Sequence, residues 1–327
     1  MAAMHPGLPD FVQDLGAGVF AIDTGFHRPR FDAAYLVIHN RRAAFIDTGT
    51  NHAVPRLLRA LDATGLARDA VDLVIPTHVH LDHAGGAGLL MRELPAARMV
   101  VHPRGAAHMI DPSALALGAL AVYGAAEMER SYGTPVGVDA ARVRVSHDGM
   151  DVLLGGDRVL HLIDTPGHAR HHHCIWDAST RGWFCGDTFG SSYREFDTAN
   201  GAWMFPNTVP VQFDPPALRA SVQRLLSFDP ACVYVTHFGR LGEVARLATR
   251  VLAMLAKMVA LGLRERDTPA RHATLKRELA LLYAASLGEH GVDSPADALL
   301  LLAMDIELNA QGMAGWLDRQ ANKEAKS

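Results

Sequence analysis

The chain is poor in cysteine and in lysine. Only three of its 327 residues are cysteines, Cys174, Cys185 and Cys232, and no lysine precedes Lys257. An odd number of cysteines without Cys-x-x-Cys spacing excludes a disulfide framework and a thiolate zinc site. This cysteine usage favours a reducing compartment.

A basic surface and a long uncharged apolar run are also missing. The 31 Lys and Arg residues against 35 Asp and Glu residues give a net charge of −4. The chain therefore has no excess of positive charge to attract nucleic acid. The first residues lack the pattern of a secretory signal. The apolar stretches at 114–126 and 241–263 are too short, or too interrupted by charges, for a membrane helix. We therefore expect a cytoplasmic protein that acts on a small molecule, with no nucleic-acid or membrane partner.

What the chain has in excess is histidine. Its 18 histidines in 327 residues amount to about 5.5%, against roughly 2% in an average protein. Four ligand-type side chains fall within six residues, in His78-Val79-His80-Leu81-Asp82-His83, directly after a predicted buried strand at 71–75. Residues at i and i+2 of an extended segment leave the same face, so His78 and His80 are expected to point the same way. Ends of strands are where α/β proteins place reactive side chains.

Three more ligand-type residues follow later predicted strands. His168 comes after Thr165-Pro166-Gly167, Asp187 comes after Gly186, and His237 comes after Thr236. The full set then holds five imidazoles and two carboxylates. This nitrogen and oxygen donor set suits zinc, iron or manganese.

These segments resemble the metallo-β-lactamase-fold hydrolase superfamily, in the right order and over residues 18–240. The segments are Thr77-His78-Val79-His80-Leu81-Asp82-His83-Ala84-Gly85-Gly86, Thr165-Pro166-Gly167-His168, Gly186-Asp187-Thr188 and Thr236-His237. The resemblance implies an α/β (α+β) fold, in which two mixed sheets lie face to face with helices outside, an αββα sandwich. The expected catalytic domain is 1–240, and a helical C-terminal region is expected at 241–327.

Carried over by position, the resemblance implies a site for two divalent metal ions. Zinc is the expected metal, with iron or manganese as alternatives. One ion would be held by His78, His80 and His168, and the other by Asp82, His83 and His237, with Asp187 bridging both. Such a pair supplies hydroxide near neutral pH, and Asp82 is the candidate catalytic residue that passes the proton to the leaving group.

The resemblance implies roles for three further residues. Asp47, in Phe45-Ile46-Asp47-Thr48-Gly49, resembles the family's buried aspartate, which orients a histidine ligand from behind. His172 lies where relatives often place a supporting histidine. Tyr193 is a candidate substrate-binding residue, by analogy with the electrophilic tyrosine of lactonases.

The departures from the family's patterns narrow the expected branch. Asp187 stands where class B β-lactamases commonly have a cysteine, so the chain resembles the glyoxalase II and lactonase-like branch and not a true β-lactamase. We expect a binuclear metal-dependent hydrolase of an ester, thioester or lactone.

Two alternatives stay open at this point. One is a mono-iron oxidoreductase that resembles persulfide dioxygenases, and the other is a non-catalytic protein that binds a ligand through its metal. The apolar stripes at 115–128 and after residue 242 allow a homodimer. Substrate choice depends on the aromatic loop at 188–216 and on the C-terminal helices, and the sequence alone does not identify the substrate.

Overall fold

The computed structural model describes residues 7–208, 210 and 212–325. The chain divides into two compact units. The first unit comprises Met1–Asp164, His171–Gly186 and Pro230–Gly242, and the second comprises Thr165–Arg170, Asp187–Asp229 and Glu243–Ser327. The predicted domain boundary at residue 240 stays a prediction.

The first unit contains a seven-stranded sheet whose strands follow the order of the chain. Its strands are β1 (Val12–Asp14), β2 (Val19–Asp23), β3 (Ala33–His39), β4 (Arg42–Ile46), β5 (Val71–Ile75), β6 (Arg98–Val101) and β7 (Val143–Val145). Neighbours from β1 to β4 are antiparallel, and neighbours from β4 to β7 are parallel. The sheet is therefore mixed, as expected.

A six-stranded sheet lies in the same unit, in the order β13-β12-β11-β10-β9-β8. Its strands are β8 (Met150–Leu154), β9 (Arg158–Asp164), β10 (His173–Asp177), β11 (Gly182–Gly186), β12 (Cys232–Val235) and β13 (Gly239–Leu241). The pair β11 and β12 is parallel, and the other neighbours are antiparallel. The expected pair of mixed sheets is thus confirmed.

A hydrophobic core fills the space between the two sheets. Its members include Val19, Ala21, Tyr35, Val37 and Ile46 from the first sheet and Leu160, Leu162, Ile175, Phe184 and Tyr234 from the second. The Tyr35 hydroxyl also donates to the Val235 carbonyl at 2.5 Å. Because successive side chains of a strand alternate between faces, Phe20 and Leu36 of the first sheet face the other way, where they share a core with helices.

Helices of the first unit pack on the outer face of the seven-stranded sheet. They are α1 (Val54–Ala63), α2 (Leu81–Ala84), α3 (Ala87–Glu93) and α4 (Pro103–Ile110), and they are followed by α5 (Ser113–Tyr123), α6 (Ala125–Glu127) and a π-helical turn at Met128–Tyr132. Leu57 and Leu61 of α1 share one core with Leu90 of α3 and with Phe20 and Leu36 of the sheet. Burial of one helical face against the sheet accounts for the apolar spacing of α1.

Helix α5 is apolar on every side and buries none of its residues. Leu117 is 67% exposed, and Leu120 and Val122 are each 41% exposed. No single helix of the described residues is long and apolar enough to cross a membrane, although α4 and α5 reach that length and apolarity together across a bend of 92°. The homodimer expected from these apolar helices stays a prediction, for which the sedimentation of the purified chain is the test.

The second unit is helical, with one long loop. Its helices are α7 (Pro215–Leu226), α8 (Val244–Arg264), α9 (Arg271–His290), α10 (Pro295–Leu301) and α11 (Ala303–Glu324). The aromatic loop packs onto these helices: the rings of Trp203 and Phe205 lie 5.8 and 5.4 Å from that of Tyr283. The helical C-terminal region expected from the sequence is therefore present.

Candidate metal centre

One short segment of the first unit supplies four candidate ligands. It runs from the end of β5 at Ile75 through α2, which begins at Leu81 and contains Asp82 and His83. His78 is fully buried, and its Nδ1 lies 3.2 Å from the Thr77 hydroxyl. The Nε2 atom of His78 then lies 2.7 Å from Nδ1 of His80. Two ring nitrogens therefore converge, as the i and i+2 spacing of the two histidines predicts.

His83 and His237 converge in the same way on Asp82. His237 directly follows Thr236, at the end of β12, and its Nδ1 lies 2.9 Å from the Phe31 carbonyl. A carbonyl only accepts, so Nδ1 of His237 carries the proton, and Nε2 keeps the lone pair that a metal ion would need. The two Nε2 atoms of His83 and His237 lie 3.6 and 3.5 Å from Oδ2 of Asp82.

These three side chains fit a divalent cation. Each offers one ligand atom, and the three atoms lie within 4.8 Å of one another. Two neutral imidazoles and a carboxylate are a common protein donor set for zinc. The fit rests on the geometry of Asp82, His83 and His237 within one unit.

Asp47 lies behind this group and accepts four hydrogen bonds. Its donors are the Thr77 amide at 2.7 Å, the Thr77 hydroxyl at 3.0 Å, the Thr236 hydroxyl at 2.8 Å and Nδ1 of His83 at 2.9 Å. Only the last of these contacts was implied by the sequence. Asp47 thereby joins the segment of His78 to the segment of His237 and fixes the ring of His83, which is the ordinary task of a carboxylate behind a metal ligand.

A glycine makes room for the rings beside His78. The ring of His172 stacks on that of His78, with centroids 4.8 Å apart, and the ring of His171 lies 5.3 Å from that of His80. Gly186 has a φ of +47°, and a Cβ atom there would lie 2.4 Å from the Thr77 hydroxyl and 2.6 Å from Nε2 of His172. The supporting role expected for His172 stays a prediction, and that of Gly186 was not foreseen.

The remaining two candidate ligands meet within the second unit. Nε2 of His168 lies 3.3 Å from Oδ2 of Asp187. The other ring nitrogen of His168 lies 3.2 Å from the Asn207 carbonyl, so this histidine also carries its proton on Nδ1. Both side chains are buried, with 1% and 7% of their surface exposed.

The strand topology relates Asp187 to His237 along the chain. Asp187 follows Gly186, the last residue of β11, and Gly186 pairs with Val235 of the parallel strand β12. The segments that carry Asp187 and His237 therefore both begin at the carboxyl end of paired parallel strands.

A buried carboxylic acid lies behind His237 and was not identified from the sequence. Asp32 is fully buried, and its Oδ2 accepts from the Thr24 hydroxyl at 2.8 Å. Burial raises the pKa of Asp32 to about 7, against the opposing effect of the nearby His237 and His83 imidazoles. No sequence motif marks Asp32. Its neighbour Phe31 makes the contact to His237 through the backbone carbonyl, which leaves no side-chain pattern in this segment.

Tyr193 occupies a different environment from the one expected. It is 1% exposed, and its hydroxyl donates to Oδ1 of Asp305 at 2.8 Å. An electrophilic role would require this hydrogen bond to be exchanged for one to substrate. The contact of Tyr193 with substrate stays a prediction.

Comparison with known proteins places this arrangement in a family. The sequence model of the metallo-beta-lactamase superfamily matches residues 27–237. The metallo-beta-lactamase fold-containing protein ST1585 of Sulfurisphaera tokodaii is 27% identical over 220 residues, which cover 64% of this chain and 74% of that protein. The acyl-coenzyme A thioesterase MBLAC2 of Bos taurus is 30% identical over 195 residues. These cover 54% of this chain and 64% of the bovine protein.

Solved structures show the same fold. The structure of ST1585 matches with a TM-score of 0.64 and 21% identity, over 91% of this chain and 98% of that one. The metallo-beta-lactamase family protein TTHA1429 of Thermus thermophilus matches with a TM-score of 0.64 and 19% identity, over 94% of this chain and 95% of that one. The αββα fold expected from the sequence is confirmed, and the chain belongs to the metallo-beta-lactamase superfamily.

Proposed function

We propose that this protein is a metal-dependent hydrolase that cleaves an ester, thioester or lactone. Seven ligands would hold two divalent metal ions, of which zinc is the expected one. The observation that carries the proposal is the convergence of His83 and His237 on Asp82 in front of Asp47. The other four candidate ligands form two further pairs, His78 with His80 and His168 with Asp187. Metal ions in such a site polarise a carbonyl and supply hydroxide near neutral pH.

The protein's own residues would hold and move protons around this chemistry. The contacts of Nδ1 in His83 with Asp47 and of Nδ1 in His237 with Phe31 keep both rings in the tautomer that presents Nε2. Asp82 is 22% exposed, whereas His83 and His237 are almost fully buried. Asp82 is therefore the member of this group from which a proton can reach a leaving group or solvent.

A thioester is the substrate class that the relatives favour. The bovine relative carries the name acyl-coenzyme A thioesterase. This chain spans 64% of its length, so the transfer of that activity is part of the proposal. The donor set alone suits esters and lactones equally, because each has a carbonyl carbon for hydroxide to attack.

The test combines metal content with a substrate panel. The purified protein is expected to hold two transition-metal ions per chain and to hydrolyse at least one of an acyl-coenzyme A, an acyl-glutathione, an ester or a lactone. His80→Ala is expected to abolish turnover, and Asp82→Asn to lower kcat by about 10²- to 10⁴-fold. His147→Ala, at an exposed histidine outside the centre, is the matched control and is expected to change nothing.

Four results would overturn the proposal. The first is a folded protein without stoichiometric transition metal, and the second is full activity in His80→Ala. The third is one iron per chain with oxygen consumption on a persulfide, which would establish the oxidoreductase instead. A protein with two metals and no turnover on the whole panel would contradict the hydrolase and support a ligand-binding protein.

A further inference from the structure

The second unit contains a cavity of about 290 Å³ among α8, α9 and the aromatic loop. Its lining combines apolar and charged groups, of which the relevant ones are Trp203, Met254, Arg250, Lys257, Glu289 and His290. Trp203 and Met254 are 2% and 5% exposed. The volume lies at the small end of the range of ligand-binding pockets, roughly 300–1,000 Å³.

A buried histidine holds one of the cationic groups in place. His290 is 3% exposed, and its Nε2 lies 2.9 Å from the Gly201 carbonyl. Because the carbonyl only accepts, Nε2 donates, and Nδ1 is left to accept from the Arg250 guanidinium at 2.8 Å. Burial lowers the pKa of His290. A neutral imidazole thus orients Arg250 without cancelling its charge.

The second cationic group lies on the same face of the same helix. Lys257 follows Arg250 by seven residues, which is two helical turns, or about 10 Å along the axis. Among the described residues, no carboxylate lies within the 4.0 Å ion-pair distance of either cation. Other cations of α8 and α9 are paired, Arg246 with Glu243 and Lys276 with Glu307, each at 2.8 Å. The charges of Arg250 and Lys257 are therefore available to a ligand in the cavity.

One acidic group also lines the cavity. Glu289 faces the same space as Arg250 and Lys257, so the wall carries two positive charges and one negative charge. A carboxylate accepts hydrogen bonds, and hence a ligand that meets all three groups must carry donors as well as negative charge. A monovalent carboxylate would match one cation, whereas a dianionic phosphate matches both.

We propose that this cavity binds a small organic phosphate that carries hydroxyl groups. The phosphate lies between Arg250 and Lys257, the hydroxyl groups donate to Glu289, and the carbon body packs on Trp203 and Met254. The inference does not depend on the hydrolase function, because every residue that carries it lies in the helices and loop of the second unit and none is a candidate metal ligand.

Calorimetric titration of the full chain tests the site, with adenosine 5′-monophosphate as the probe. We expect saturable binding of one equivalent at submillimolar concentration, weaker binding of inorganic phosphate, and no binding of adenosine. Lys257→Gln and Arg250→Gln should each weaken binding at least about tenfold, since a charge-assisted contact is lost. Arg250→Lys keeps the charge and should retain part of the affinity. Higher salt should weaken binding.

Two controls separate this site from other sources of binding. Lys276→Gln, at a lysine paired with Glu307 away from the cavity, should leave the affinity unchanged. His80→Ala should also leave it unchanged, because a metal centre can itself bind phosphate. Loss of binding in His80→Ala, equal binding of adenosine, or unaltered affinity in both the Arg250 and Lys257 variants would overturn the proposal.

Discussion

Nδ1 of His83 lies 2.9 Å from Oδ2 of Asp47, and both side chains are withdrawn from solvent. This contact fixes which nitrogen of His83 faces Asp82. Asp47→Ala removes the acceptor and leaves the ring without its orientation, so we expect zinc affinity to fall about 10- to 100-fold. Chelator competition measures the affinity. Asp157→Ala, at a side chain that is 76% exposed, is the control, and equal affinities in the two variants would contradict the assigned role.

Gly186 provides a second test of the packing behind the site. Gly186→Ala places a Cβ atom 2.4 Å from the Thr77 hydroxyl, so we expect a loss of about 1–3 kcal/mol in the free energy of unfolding together with weaker metal binding. Gly149→Ala is the matched control, since its φ is also positive, +75°, with nothing within 4 Å of the new Cβ. Urea unfolding of both variants at equal metal content isolates the clash. An equal loss in both would mean that the left-handed backbone alone causes it.

A buried ion pair in the six-stranded sheet should matter for stability alone. Arg158 and Asp177 lie 2.6 Å apart, with side chains 2% and 0% exposed. Arg158→Met leaves the Asp177 charge buried without its cation, which we expect to cost about 3–5 kcal/mol in urea unfolding. The double variant Arg158→Met/Asp177→Asn removes that charge and should recover part of the loss. A single variant that costs less than about 1 kcal/mol would contradict this reasoning.

His173 should make the protein less stable in acid. Burial lowers its pKa from 6.5 to about 4. Between these values the unfolded chain binds a proton that the folded chain does not, so stability falls as pH falls through this window and is fully retained above it. The contribution approaches about 3 kcal/mol below pH 4.

His173→Gln removes this proton and keeps a donor for the Pro76 carbonyl and an acceptor for Ser146. The variant should therefore show a shallower acid dependence than the parent chain. Unfolding free energies of both chains, measured from pH 7 to 4 at equal metal content, provide the comparison. Parallel pH profiles would show that other groups cause the acid sensitivity.

The sequence predicted the parts of the fold that depend on local pattern. The buried strand predicted at 71–75 is observed with those bounds as β5. The sequence does not predict the strand at Met150–Leu154. Its five residues alternate between buried and exposed, but one exposed position is the apolar Leu153. The sequence therefore lacks the alternation of apolar and polar residues that indicates a strand. The apolar stripe at 115–128 is helical over Ser113–Tyr123, but the π-helical turn at Met128–Tyr132 has no sequence signal.

In the candidate site, too, the sequence predicts some contacts and misses others. Histidines and aspartates at the ends of strands carry side-chain chemistry that a motif records, so the sequence identifies seven candidate ligands, whose binding of metal stays a prediction. Phe31 contributes a backbone carbonyl to His237, which any residue could supply. Thr77 and Thr236 bind Asp47 through hydroxyl groups. These contacts depend on which segments meet in space, and spacing along the chain does not encode that.

The aromatic loop is anchored to helices that come much later in the chain. The Thr208 amide donates to the Asn309 side chain at 2.7 Å, the Trp203 indole donates to Ser286 at 3.0 Å, and the Tyr193 hydroxyl donates to Asp305. A chain that ended at residue 240 would leave each of these donors and several buried rings facing water. The C-terminal helices thus supply the hydrogen-bond acceptors and packing partners on which the observed conformation of the aromatic loop depends.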